Sequence, residues 1–211
     1  MPIRKCWHVI SAASTIAVMA AASPAFGAAE TPLPVPPLDE ASCAHQPVMP
    51  VFAAFGDLNL YTLAPGGAFT DTGGWQLAGG ASVAAAAQPD GSVGGVLDLP
   101  GKSQATSPVM CITTDYPTAR VWVRNAADDE DLRFNVQYWD KEKLEWTKPK
   151  ESGKFKADKA GGWNLSKELD VKPDKDDPGW QQVRFTLHVN GSAEKNRVQV
   201  DNLWIDPRAS R

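Results

Sequence analysis

Three stretches of this chain alternate apolar and polar side chains with a period of two. In residues 119–125, Val121 and Val123 fall on one side while Arg120, Trp122 and Arg124 fall on the other. Residues 132–140 set Leu132, Phe134, Val136 and Tyr138 against Arg133, Asn135, Gln137 and Trp139. Residues 181–189 repeat the pattern, with Val183, Phe185, Leu187 and Val189 opposite Gln182, Arg184, Thr186 and His188. Successive side chains of an extended strand point to opposite faces, so each run reads as a half-buried strand. No long segment carries a 3.6-residue apolar period, and Gly, Pro and Asp punctuate the short runs, which is an all-β signature. Residues 81–87 and 96–99 read as further strands. The last strand changes phase: Val198 and Val200 are apolar at even positions, Leu203 and Ile205 at odd ones. One inserted residue reverses the side-chain register, so a bulge is expected near Asp201-Asn202.

Residues 1–27 have the three parts of an export signal: Arg4 and Lys5, an apolar stretch over 9–22, and Ala25-Phe26-Gly27 as a small-x-small cleavage site. The apolar stretch is interrupted by Ser11, Ser14 and Thr15 and is shorter than the ~20 residues of a membrane span. The mature chain is therefore expected to be secreted, or periplasmic behind an outer membrane, without membrane insertion. Cleavage removes Cys6 and leaves Cys43 and Cys111, an even pair in an oxidising compartment, so one disulfide is expected; two free buried thiols are the alternative. A zinc site has little support, because His45 and His188 lack ligand spacing to the cysteines. The proline run of residues 31–37 reads as extended linker, giving an expected linker over 28–50 and a folded domain over 51–211.

A formal net charge of −4 argues against nucleic acid or an anionic membrane as the main partner, since both reward a basic surface. The lysines of residues 141–159 alternate with Glu142, Glu145, Glu151 and Asp158, as on a solvated face.

The order of features resembles the jelly-roll carbohydrate-binding modules of the galactose-binding-like group. Gly67-Ala68-Phe69-Thr70 and Gly74-Trp75 resemble their opening Gly-x-Phe-Glu and Gly-Trp elements, and Val96-Leu97-Asp98-Leu99-Pro100 their apolar strand. Trp180-Gln181-Gln182-Val183 resembles their Trp-x-x-Val strand, and Asp201-Asn202-Leu203 their closing Asp-Asn strand. The resemblance spans residues 60–206 and implies a jelly-roll β-sandwich of two antiparallel sheets. It also implies a structural calcium between the opening Glu and the closing Asp. Thr70 stands at the Glu position, which leaves Asp71 with Asp201 as the candidate ligands; the alternative is that Asp71 begins a turn before Gly73.

Sugars are held by aromatic rings against their CH faces and by amides, guanidinium groups and carboxylates at their hydroxyls. If the three alternating strands are neighbours, Trp122, Trp139, Arg124, Arg133, Asn135, Gln137, Gln182, Arg184 and His188 form one such surface. Its arginines favour an acidic or phosphorylated ligand. The competing arrangement has residues 143–169 folded over that face, with Trp146, Phe155 and Trp163 covering Trp122 and Trp139. Trp75, Trp180 and Trp204 read as core or edge packing. A catalytic role finds no nucleophile elbow, no histidine spaced to a nucleophile and no carboxylate pair on one strand face. Asp128-Asp129-Glu130-Asp131 and residues 174–179 read as solvated hairpin tips. The leading expectation is a non-catalytic module for a polysaccharide or cell-envelope glycan; the alternative is a structural or envelope-associated interaction domain.

Overall fold

The computed structural model describes residues 38, 40–115, 117–126, 131–156, 161–174, 176 and 179–208. The expected export signal, the proline run and the acidic residues 128–130 lie outside the described residues. In chain order the strands are β1 (Thr62–Leu63), β2 (Gln76–Ala78), β3 (Ser82–Ala87), β4 (Val93–Pro100), β5 (Gln104–Thr106), β6 (Met110–Ile112) and β7 (Thr118–Asn125). They continue as β8 (Leu132–Asp140), β9 (Glu145–Trp146), β10 (Lys150–Phe155), β11 (Asn164–Leu165), β12 (Leu169–Asp170), β13 (Gln181–Val189) and β14 (Arg197–Asp206). The first sheet runs β11-β7-β14-β4-β3, with β1 on β14 and β12 on β7. The second runs β10-β8-β13-β5-β2, with β6 on β13 and β9 on β8. All pairings are antiparallel, and the two sheets enclose one core as a jelly-roll β-sandwich.

The alternating runs are β7, β8 and β13, and their apolar faces point inward. Val121 and Val123 from the first sheet meet Phe134, Val136, Val183, Phe185 and Leu187 from the second, all without solvent exposure. Each such side chain contributes on the order of 1.5–3 kcal/mol by leaving water. The expected bulge is present: the pairing of β14 with β7 shifts between Asp201 and Trp204, and Asn202 takes a left-handed φ of 50°. That extra residue lets Val198 and Val200 point inward before it and Leu203 and Ile205 after it. The Gly-Phe and Gly-Trp elements serve the core, with Phe69 and Trp75 both buried and their ring centroids 5.2 Å apart. Gly66 and Gly73 bracket this loop so closely that a Cβ on either would come within 2.5 Å of the other's backbone.

Three expectations are corrected. First, the three alternating strands are not all neighbours: β8 pairs with β13, whereas β7 lies in the opposite sheet. Trp122 and Arg124 thus face away from the other seven candidate residues. Periodicity orients side chains within a strand but carries no information on which sheet the strand joins. Second, the described parts of residues 143–169 do not fold as one cover over a single face, although Trp146 does pack on Trp139. They divide, β9 and β10 extending the second sheet while β11 and β12 extend the first, and Phe155 enters the core against Phe134. Third, the folded part begins before residue 51. A short helix, α1 (Glu40–Ala44), carries Cys43, which is 2% exposed. The Gln46 amide donates to the Cys111 carbonyl at 3.0 Å and accepts from the Cys111 amide at 3.3 Å, and Met49 and Tyr61 exchange two backbone hydrogen bonds at 2.9 Å.

Cys43 and Cys111 form the disulfide expected from their parity, joining α1 to β6 across a sequence separation of 68 residues. Opening a loop of that length should cost about 4 kcal/mol in the chain-entropy model. Cys43→Ser with Cys111→Ser should therefore lower the denaturant midpoint by that equivalent. An unchanged midpoint would show that the Gln46 and Met49 contacts anchor this segment alone.

Candidate functional site

The outer face of the second sheet consists of polar rows running across its strands. Lys154, Arg133, His188 and Gln104 form one row, by register between β10, β8, β13 and β5. Glu151, Asn135, Thr186, Thr106 and Gln76 form the next, reaching β2. Within them Arg133 pairs with Glu151 at 3.1 Å, and the Thr106 and Thr186 hydroxyls lie 3.1 Å apart. Beyond these rows Arg184 donates its Nε to Gln137 Oε1 at 2.9 Å, and Gln137 Nε2 donates to the Thr147 carbonyl at 2.7 Å.

The indole of Trp146 closes this end of the face, because β9 turns back along β8. The Arg184 guanidinium carbon sits 4.6 Å from its ring centroid. Trp146, Arg184, Gln76, Gly74, Ser107 and Pro108 are among the residues around a pocket of about 170 Å³. Burial lowers the proton affinity of Arg184, and burial together with the Arg133 charge lowers that of His188, which favours the neutral imidazole.

Seven of the nine residues singled out from the sequence lie on this sheet, and they differ in what they can do. Arg133, Asn135, Gln137, Arg184 and His188 are half-buried on the outer face. Trp139 is only 7% exposed and packs edge-on against Trp146 at 5.4 Å, so Trp146 takes the accessible position. Gln182 has its amide engaged by Leu38, donating to its carbonyl at 2.6 Å and accepting from its N–H at 3.0 Å. Gln76, Thr106 and Trp146 were missed as members of this face. Gln76 and Thr106 sit in strands of three residues, too short to show a period, and Trp146 reaches the site only through a hairpin turn.

On the first sheet, Trp122 and Arg124 also face outward. Arg124 Nε donates to Gln199 Oε1 at 2.6 Å, Gln199 Nε2 donates to Asp98 Oδ1 at 3.0 Å, and the guanidinium lies 4.8 Å from the Trp163 ring centroid. Trp122 has Phe55 edge-on at 5.9 Å. Asp71 begins a turn, accepting from the Gly73 amide at 2.6 Å. Burial raises the proton affinity of Asp201, and the charge of Asp90 adds to it. Among the described residues, no three His, Cys, Asp or Glu side chains gather as a metal would require, and no helix is long and apolar enough to cross a membrane.

No protein-family model matches the chain, and a search of curated proteins found no match. Among solved structures it is similar to a xylan-binding domain from Paenibacillus barcinonensis, at a TM-score of 0.45 and 14% identity, covering 68% of this chain and 93% of that one. It is similar to the family 11 carbohydrate-binding module from Clostridium thermocellum in complex with a mixed-linked tetrasaccharide, at a TM-score of 0.41 and 12% identity, covering 65% and 90%. It is also similar to the N-terminal cellulose-binding domain of a Cellulomonas fimi β-1,4-glucanase, at a TM-score of 0.43 and 10% identity, covering 68% and 94%. At this level of likeness no ligand is transferred from them, and the fold is read from the strand order and register of this chain.

At the end of β14, Asp206 is fully buried; its Oδ1 accepts from the Arg208 amide at 2.9 Å, and its Oδ2 has no partner among the described residues. Burial, then the charges of Asp57 and Glu168, push its carboxyl up to about 6. Asp201 is pushed up to about 6 as well, by burial and by Asp90. For such a group the folded state keeps a proton that the unfolded chain has released, so its contribution to stability is lost as pH rises from about 4 to about 6. Asp206→Asn, which retains the acceptor for Arg208, should lose roughly 2 kcal/mol less stability than the parent between pH 4 and 7 in denaturant titrations. Parallel curves for parent and variant would rule out the Asp206 contribution.

Proposed function

We propose that the chain is exported after removal of residues 1–27 and binds a glycan without catalysis, on the outer face of its second sheet. The observation that carries this reading is the pocket in which Trp146, Arg184 and Gln76 meet. An indole offers an apolar plane to the CH face of a sugar ring, while a guanidinium and an amide supply donors and acceptors for its hydroxyls. Gln137 holds Arg184 in place before any ligand arrives, which reduces the side-chain ordering that binding would otherwise demand. The hydroxyls of Thr106 and Thr186 and the amide of Asn135 extend the same chemistry across the sheet, as an oligosaccharide lying over several strands would need. Arg184 favours a ligand carrying carboxylate groups, to which a guanidinium binds in a planar, two-point manner.

One observation favours a second reading, a protein-interaction domain. Val48, Met49, Phe55, Leu58 and Leu60 are all exposed within a single short segment, a concentration of apolar side chains that commonly marks a contact with another protein.

A glycan array probed with residues 28–211, including uronic-acid polymers, tests the first reading. Trp146→Ala and Arg184→Ala should each weaken the selected ligand about tenfold while leaving the melting temperature near that of the parent. A folded protein silent across the array, or binding indifferent to both substitutions, would reject the second-sheet site and leave the interaction reading in its place.

A further inference from the structure

The bulge in β14 builds a second, separate pocket on the opposite outer face. The turn between β3 and β4 folds against the bulge, and Gln88, Pro89, Asp90, Trp122, Asp201 and Asn202 line a space of about 260 Å³. The turn is set by its own contacts: Gln88 accepts from Ser92 Oγ at 2.9 Å and donates to the Gly95 carbonyl at 3.2 Å, while Asp90 accepts from the Ser92 amide at 2.9 Å. Asp201 forms the floor and is 1% exposed. Its Oδ2 accepts from Asn202 Nδ2 at 2.8 Å, and its Oδ1 has no hydrogen-bond partner among the described residues.

A buried carboxylate oxygen without a partner is costly, and its natural complement is a donor or a positive charge. The other groups around it select which kind. Asp90 adds a second negative charge, close enough to reinforce burial in raising the proton affinity of Asp201. No lysine or arginine lines the pocket to neutralise the two acids. A hard metal ion takes six to eight oxygen ligands, and one wall here is the Trp122 indole, which cannot ligate it. An aromatic ring beside carboxylates instead suits an organic cation, which is attracted by the ring quadrupole as well as by the charges.

We propose that the pocket formed by Trp122, Asp90 and Asp201 binds an organic ammonium group, either a quaternary ammonium or the free amine of an amino sugar. The site is independent of the Trp146 face: the two pockets share no residue and lie on opposite sheets.

The test is calorimetric titration of residues 28–211 with choline, with glucosamine, with N-acetylglucosamine as the neutral counterpart, and with calcium chloride. Choline, glucosamine or both should bind in the millimolar range, and the stronger of the two identifies the source of the ammonium. Asp201→Asn should weaken that binding about tenfold and Trp122→Leu by a similar factor. Asp90→Asn, at an exposed position and retaining an acceptor for the Ser92 amide, should weaken it severalfold and decides the matter if the Asp201 variant fails to fold. Trp146→Ala should leave it unchanged. Silence with both ammonium probes overturns the proposal, as does N-acetylglucosamine binding as well as glucosamine, calcium binding in preference to either cation, or indifference to Asp90→Asn.

Discussion

Phe134 stacks on Phe185 at 5.0 Å and meets Phe155 edge-on at 5.3 Å, and this aromatic trio sits where the inward faces of the two sheets close on each other. Burial of that interior is the constraint on which the outer faces depend. A strand that commits Phe134, Val136 and Leu132 to the inside must present Arg133, Asn135 and Gln137 to the outside, because adjacent side chains cannot share a face. The polar rows of the second sheet are therefore a by-product of core formation, held rigid by the same backbone ladder that holds the core. A binding surface on such a platform needs little rearrangement to receive a ligand.

Departures from regularity supply what the rows alone do not. Around the bulge, β14 exchanges one neighbour for another: Val200 pairs with Leu97 of β4, and Trp204 pairs with Leu63 of β1. Asp201 keeps its pairing with Trp122 of β7 but comes after the last residue of β14 that pairs with β4, and the bulge follows it, beside the turn that carries Asp90. On the other sheet, the short return of β9 along β8 lays Trp146 over Arg184. In each case an irregular backbone brings a charged group and an indole together over an otherwise regular sheet.

The tryptophans illustrate how far pattern reading goes. Trp75 reads as core or edge packing from its place at a strand start and is buried, with its Nε1 donating to the Pro65 carbonyl at 2.9 Å. Trp180 and Trp204 are half-buried, the first under Arg208 at 4.5 Å and the second, paired on both sides with β7 and β1, beside Phe52 at 6.4 Å. Trp122 and Trp139 share the outward phase that the sequence shows, yet they occupy opposite sides of the molecule. Trp139 is then shielded by a residue seven positions later, through a turn whose path no periodicity encodes.

Local physics was legible in the chain itself. The period of two determined which side chains of β7, β8 and β13 face inward, the phase change placed the bulge at Asp201-Asn202, and cysteine parity paired Cys43 with Cys111. Each of these follows from short-range geometry or from counting. Which strands lie side by side depends on contacts between residues far apart in sequence, and only the tertiary structure decided it. It separated Trp122 and Arg124 from the remaining candidates, brought Gln76 and Trp146 to Arg184, and set Asp90 beside Asp201, because strand pairing is selected by the closure of a common core rather than by any one segment's own pattern.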